Sequence, residues 1–113
     1  MLRKDIYEDC LVLYPMPVWQ EELSSLCSKL KRYGEESRKI YRKFTQNANP
    51  VEMDSNGRIL IPKRYLQLAG INADVRFLLG MNQKTIEIWA PDGLAKSELE
   101  EDIFKNFMNS IDE

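Results

Sequence analysis

The stretch Val51-Glu52-Met53-Asp54-Ser55-Asn56-Gly57-Arg58-Ile59-Leu60-Ile61-Pro62 decides the fold. Val51–Met53 and Arg58–Ile61 have the composition of short strands, and Asp54-Ser55-Asn56-Gly57 stands between them. The Asn-Gly pair supplies the positive backbone φ that a tight hairpin turn demands. Gly57 is the residue that permits it, and the turn brings Asp54 and Arg58 face to face. A carboxylate and a guanidinium at that separation are within reach of a charge-assisted hydrogen bond that would hold the loop in shape. Arg58 has a second outlet, since an outward guanidinium suits a phosphate oxygen or the O6/N7 edge of guanine. A plain turn latch and an outward contact are both open on the residues alone.

Downstream, Pro62 opens a short helix over Lys63–Ala69, with Pro tolerated in the first turn, and Gly70 closes it. Val75–Gly80 is the next strand, Met81–Lys84 a turn. In Thr85–Trp89 the residues alternate, Ile86 and Ile88 on one face and Glu87 on the other. Pro91-Asp92-Gly93 ends the strand and starts a last helix with Asp92 as its N-cap. Leu99, Ile103, Phe107 and Ile111, widened by Phe104 and Met108, form an apolar stripe on that acidic helix. Such a stripe requires a cover, either the chain's own core or a neighbouring subunit.

Upstream, Cys10-Leu11-Val12-Leu13-Tyr14 is a buried strand closed by Pro15 and Pro17. Apolar residues at Val18, Trp19, Leu23, Leu26, Cys27 and Leu30 step by three and four, which predicts an amphipathic helix over Val18–Arg32. Gly34 breaks it. Helical spacing resumes over Glu35–Asn47 with Ile40, Tyr41, Phe44 and Ala48 inside and Glu35 and Glu36 at the start, where the helix dipole favours acids. Two consecutive helices of this kind predict an antiparallel hairpin, ended by Asn49-Pro50. Trp19 and Trp89 are expected in the core.

The chain has 113 residues, 43% hydrophobic and 30% charged, which is one domain's worth of a chain able to build a core. No stretch approaches the ~18–20 apolar residues of a bilayer span. Met1–Asp5 lacks the apolar run of a signal peptide, so the cytoplasm is the expected compartment. There is no histidine, which removes the commonest general base and zinc ligand. No nucleophile motif or phosphate-cradling glycine loop is present either, so the reading is against an enzyme. Cys10 and Cys27 form no C-x-x-C, so no metal site or redox motif is expected, and both are expected to be buried thiols. The net charge of -2 hides a dipole. Residues 28–64 carry ten bases against four acids, a balance of +6, and residues 85–113 carry two against eight, a balance of -6. Such asymmetry suits a basic surface turned to a polyanion, or two solvated faces of opposite sign.

In this element order the string D-x-x-G-R-x-x-x-P, standing as Asp54, Gly57, Arg58 and Pro62, resembles the hallmark of the MraZ family of the SpoVT-AbrB superfamily. Ala69-Gly70-Ile71, Val75, Gly80 and Glu87-Ile88-Trp89 fall where that pattern has A-G-L/I, V, G and E-I/L-W. Cys10–Pro15 followed by Trp19 is similar to its C-L-x-L-Y-P-x-x-x-W. The likeness runs from about residue 2 to about residue 104.

The resemblance implies an α+β fold, the second half of an AbrB/MraZ-like swapped-hairpin (double-split) β-barrel, with a bridging helical hairpin and a C-terminal helix. Family chains carry two D-x-x-G-R copies, and only the second is expected here. On this reading residues 1–16 hold the last strand of a missing first copy and 17–48 the bridging hairpin. Residues 49–91 form the DNA-binding unit and 92–113 the acidic helix. The implied function is sequence-specific recognition of double-stranded DNA, at promoter repeats of the division and cell-wall gene cluster. It would be carried out by a ring-shaped homo-oligomer in the cytoplasm and nucleoid, without cofactor, metal, membrane or small-molecule substrate.

Arg58, Lys63 and Arg64 are the implied DNA contacts, with Asp54, Asn56 and Gly57 bracing the turn. Arg38, Lys39, Arg42 and Lys43 are further candidates for phosphate contacts, weighed against a solvated helix face. Family chains often have Arg where Leu66 stands, so that role does not transfer. The rival readings are an oligomerisation or protein-interaction module with weak DNA affinity, and an AbrB-type antitoxin.

Overall fold

A computed structural model of the chain describes residues 1–30 and 34–111. The elements are β1 (Leu2–Lys4), β2 (Leu11–Leu13), α1 (Met16–Lys29), α2 (Glu35–Gln46) and β3 (Ala48–Asn49). They continue with α3 (Lys63–Leu68), β4 (Arg76–Leu79), β5 (Ile86–Trp89), α4 (Pro91–Lys96) and α5 (Glu101–Ile111). The five strands form one antiparallel sheet in the order β3-β1-β2-β5-β4. The fold is therefore α+β.

The centre of the sheet is covered on both faces because its strands β2 and β5 are apolar at successive positions, not alternate ones. Leu2 on β1, Leu11 on β2 and Ile88 on β5 pack with Tyr65 of α3 and with Ala69, which caps that helix. Cys10, Val12 and Trp89 form a second cluster, closed by Tyr14 and Leu94. The register Leu11↔Ile88 and Val12↔Glu87 keeps like faces together, as the period of two requires. Ile86 and Ile88 do alternate with Glu87, whose carboxylate accepts the indole N–H of Trp89 at 2.9 Å. Trp19 and Trp89 are both buried, as expected.

The helical pair lies where the spacing placed it. Trp19, near the start of α1, meets Tyr14 edge-on at 5.3 Å and stacks on Phe44, near the end of α2, at 5.4 Å. At the other end Cys27 and Leu30 share a groove with Arg38 and Tyr41, so the two helices run in opposite directions. Helix α1 begins earlier than expected, at Met16, because Pro17 fits the first helical turn and the backbone N–H of Trp19 bonds back to Pro15. Leu30 already caps it in an extended conformation, and Lys31 and Arg32 lie outside the described residues.

Four expectations are corrected. The segments 51–53 and 58–61 are not full strands, and they touch through the single bridge Met53↔Ile59. Pro50 and Pro62 flank a hairpin that has no further strand beside it, and an isolated two-stranded ribbon gains little ladder. The last helix is two helices. Ser97 Oγ donates to the Leu94 carbonyl and competes with continuation, so residues 98–100, Leu99 among them, are outside any helix. Ala90, not Asp92, is the N-cap of α4 and offers no side-chain bond, while Asp92 sits inside the first turn. Cys27 is exposed rather than buried. It lies on the rim of the α1–α2 groove, where no third layer covers it among the described residues.

The apolar stripe of α5 is also uncovered. Ile103, Phe104, Phe107 and Ile111 are each at least half exposed, so of the two expected covers the chain's own core is not the one. Two further strands, β1 and β3, escaped the sequence reading, and Ala48, expected on the inner face of the second helix, lies in β3. Ala48 and Asn49 follow α2 directly and pair with Arg3 and Leu2.

Candidate nucleic-acid interface

The hairpin Met53–Ile59 is built on Asp54. Its backbone N–H donates to the carbonyl of Arg58 at 2.8 Å, and its carbonyl accepts the N–H of Gly57 at 3.1 Å. Its carboxylate Oδ1 accepts two more backbone donors, the N–H of Asn56 at 2.9 Å and of Arg58 at 2.8 Å. Gly57 has φ +79°, the left-handed residue that closes a turn followed by a bulge. No atom lies within 4 Å of where its Cβ would stand. The demand for glycine there is one of backbone angle alone.

The expected Asp54–Arg58 contact is present in looser form. Arg58 Nε stands 3.4 Å from Asp54 Oδ2, and the Arg58 side chain is 75% exposed. A pair so open to water adds little stability. The bracing is done by Oδ1 on the main chain, which leaves the guanidinium at the surface. Asn56 contributes its backbone N–H to this turn.

Lys63 and Arg64 occupy the first turn of α3 and are exposed. Arg64 is not free to swing. Its guanidinium lies 4.7 Å over the ring of Tyr65, and Nη2 donates to the Tyr65 hydroxyl at 2.9 Å. That hydroxyl in turn donates to the carbonyl of Asn47 at 2.9 Å. Tyr65 is 1% exposed, so Arg64 is seated on a rigid base. Arg64 and Lys43 line one cleft, together with Arg3 and Phe44.

The other candidates separate. Lys39 pairs with Glu35 at 3.4 Å along α2, and Arg38 and Arg42 border the groove between α1 and α2. The structure thus assembles Asp54, Asn56, Gly57 and Arg58 into one turn and Arg64 with Lys43 into one cleft. No hydrogen bond or ion pair joins the two groups among the described residues. Leu66, where the family pattern often has Arg, packs against the sheet core. Sequence reading missed Arg3. It is 5% exposed, and its guanidinium lies 4.1 Å over the Phe44 ring. Its position opposite Val12 in the ladder and the Phe44 ring bury it, and neither partner has a signal in the local sequence.

These features define a small α+β protein whose central sheet carries a backbone-braced, arginine-tipped hairpin on its flank. Residues 44–107 match the family model described as "MraZ protein, putative antitoxin-like". Transcriptional regulator MraZ of Bacteroides fragilis is 48% identical over 111 residues, 98% of this chain and 69% of the relative. The protein of the same name from Bacteroides thetaiotaomicron is 50% identical over 92 residues, 81% of this chain and 58% of its own length. That from Cytophaga hutchinsonii is 40% identical over 86 residues, covering 76% and 55%. The chain belongs to the MraZ family. It spans less than two thirds of the latter two relatives.

Proposed function

We propose that this chain is a DNA-binding transcriptional regulator whose Asp54–Arg58 turn meets the duplex. The exposure of Arg58 on a turn held by Asp54 is the observation that carries the reading. A rigid loop loses little freedom on binding, so a single guanidinium can be aimed at a phosphate or a guanine edge. Lys63 and Arg64 would position the protein on the backbone without reading sequence. The net +6 of residues 28–64 supplies attraction toward a polyanion, with Arg38, Lys39, Arg42 and Lys43 adding to that field. The relatives are named as transcriptional regulators, which supports the same class of activity here.

On this proposal the target is a set of promoter repeats in the division and cell-wall gene cluster, and the site of action is the cytoplasm and nucleoid. Residues 49–91 act as the reading unit. The turn is one of several presented by a homo-oligomer, ring-shaped by the family resemblance, with the sheet completed into a swapped-hairpin barrel. Multivalency would raise an affinity that one turn alone gives weakly. Fluorescence anisotropy of a labelled promoter duplex tests this reading. Binding should fall steeply between 50 and 200 mM salt, as counterion release requires for several phosphate contacts. Salt-independent binding, or none at 50 mM, contradicts it.

The exposed apolar residues of β4 and α5 favour a second reading, an oligomerisation module with little DNA affinity of its own. A shift assay of this chain beside a two-copy chain separates the two readings. If only the two-copy chain retards the duplex, the module reading stands.

A further inference from the structure

A cleft of about 540 Å³ opens between the end of β1, the C-terminal half of α2 and α3. Besides Lys4, three cations line it, Arg3, Lys43 and Arg64. None of them has a carboxylate within ion-pair distance among the described residues. The fourth cation on the wall, Lys4, is already engaged by the carbonyls of Asp5 and Glu8 and by Asp9. The acid on the wall, Asp5, spends its Oδ2 on the backbone N–H groups of Tyr7 and Glu8.

Arg3 is the anomaly. It is 5% exposed, its Nε reaches only the Lys4 carbonyl at 3.3 Å, and its Nη1 is buried with no hydrogen-bond partner. Burying a guanidinium with an unmet donor is costly unless an anion compensates it. The Phe44 face beneath it holds the charge in place but satisfies no N–H. Arg64 is likewise fixed, on the ring and hydroxyl of Tyr65. Two planar guanidinium groups and a lysine line one cleft, and these are the side chains that take up a phosphate group by charge-assisted hydrogen bonds.

We propose that this cleft binds the phosphate of a small phosphorylated metabolite. The volume suits a nucleotide or a sugar phosphate. Duplex DNA is the less suitable occupant, because its backbone cannot follow a phosphate down to a nearly buried arginine. The ligand would tie β1 to α2 and α3, and so act on the packing under the helical hairpin.

Titration calorimetry with pyrophosphate at constant ionic strength tests the proposal. One saturable site per chain is expected, with succinate as a dicarboxylate control giving no heat. Lys43→Gln, at an exposed position, should weaken pyrophosphate at least ~tenfold, the loss of one charge-assisted contact. Arg3→Gln should abolish it, and Lys105→Gln on α5 should leave it unchanged. Circular dichroism shows whether Arg3→Gln folds, and if it does not, Lys43→Gln and Arg64→Gln decide. Absence of a saturable site, equal binding of succinate, or wild-type affinity in Lys43→Gln overturns the proposal. So does stoichiometric displacement of pyrophosphate by a duplex in an Arg58→Ala background, which would make the cleft a DNA contact. Because pyrophosphate is read without DNA, failure here leaves the Arg58 reading standing, and the reverse.

Discussion

Strands β4 and β5 lie side by side, paired from Arg76↔Trp89 to Leu79↔Ile86, and have opposite fates. In β5, Ile88 and Trp89 are buried, while all four residues of β4 are exposed, Phe77 and Leu79 most of all. Both stretches are strongly apolar. The difference is that β5 also pairs with β2 and receives α3 on one face and α4 on the other. In this chain a hydrophobic run creates a demand for cover, and the topology decides which run is supplied. The uncovered one marks where a neighbour would gain most by docking.

The contrast breaks or sharpens under four experiments. The largest effect is expected in thiol reactivity. Cys10 packs behind β5 in the Val12–Trp89 cluster, and burial first, then the nearby acids Asp5, Glu87 and Glu8, push its thiol up to about 12. Cys27 lies exposed on the α1–α2 groove. At pH 8 iodoacetamide should label Cys27 promptly and Cys10 only through unfolding, and equal rates would contradict the packing. The folded thiol titrates above its ordinary 9.0. Its contribution to stability is therefore whole below pH 9 and lost as pH rises toward 12. Wild type should lose more stability between pH 9 and 11 than Cys10→Ala does.

Next comes Ile88→Ala against Leu79→Ala. The first opens a cavity in the sheet core and should cost ~2–5 kcal/mol in chemical denaturation. The second removes a side chain already in water and should cost under about 0.5 kcal/mol. Similar losses would mean that β4 is covered in solution, and a matching rise in mass by light scattering would locate the cover.

Two glycines give a smaller contrast. A Cβ on Gly80 would collide with the Thr85 side chain and crowd its carbonyl at 3.3 Å. At Gly57 it meets open space at φ +79°. Gly57→Ala should therefore cost ~1 kcal/mol, and Gly80→Ala ~1–3 kcal/mol, the range for forcing atoms into a filled site. A larger loss at Gly57 would mean that the hairpin packs on something.

How much of this was legible beforehand follows from the range of each signal. The Asp54–Gly57 turn, helix 35–46 and the Glu87-Ile88-Trp89 alternation rest on interactions within about four residues, and the structure keeps them. Most of what failed rests on long-range pairing, the break after α4 at Ser97 being the local exception. Strand β3 exists because β1 comes back to Ala48 and Asn49, and residues 51–61 lack a ladder because no strand flanks them. The site divides the same way. Asp54 beside Arg58 was readable, but that Oδ1 braces the main chain rather than the guanidinium follows from the turn's three-dimensional closure. Arg3 was invisible because a basic residue beside Lys4 gives no local sign of burial, and its pairing with Val12 together with the ring of Phe44, forty-one positions away, makes it a buried cation.

The claim on which the function rests is that the braced hairpin, and not basic charge in general, meets DNA. Arg76 on the exposed edge strand is the fair control, since its guanidinium only caps the Val75 carbonyl at 3.2 Å. The decisive measurement is the affinity of Arg58→Ala and Arg76→Ala for one promoter duplex at one salt concentration, each with its circular dichroism spectrum unchanged. The account predicts a loss of at least ~tenfold for Arg58→Ala, the value of one specific base or phosphate contact, and near wild-type affinity for Arg76→Ala. Equal losses, or none in Arg58→Ala, would contradict it.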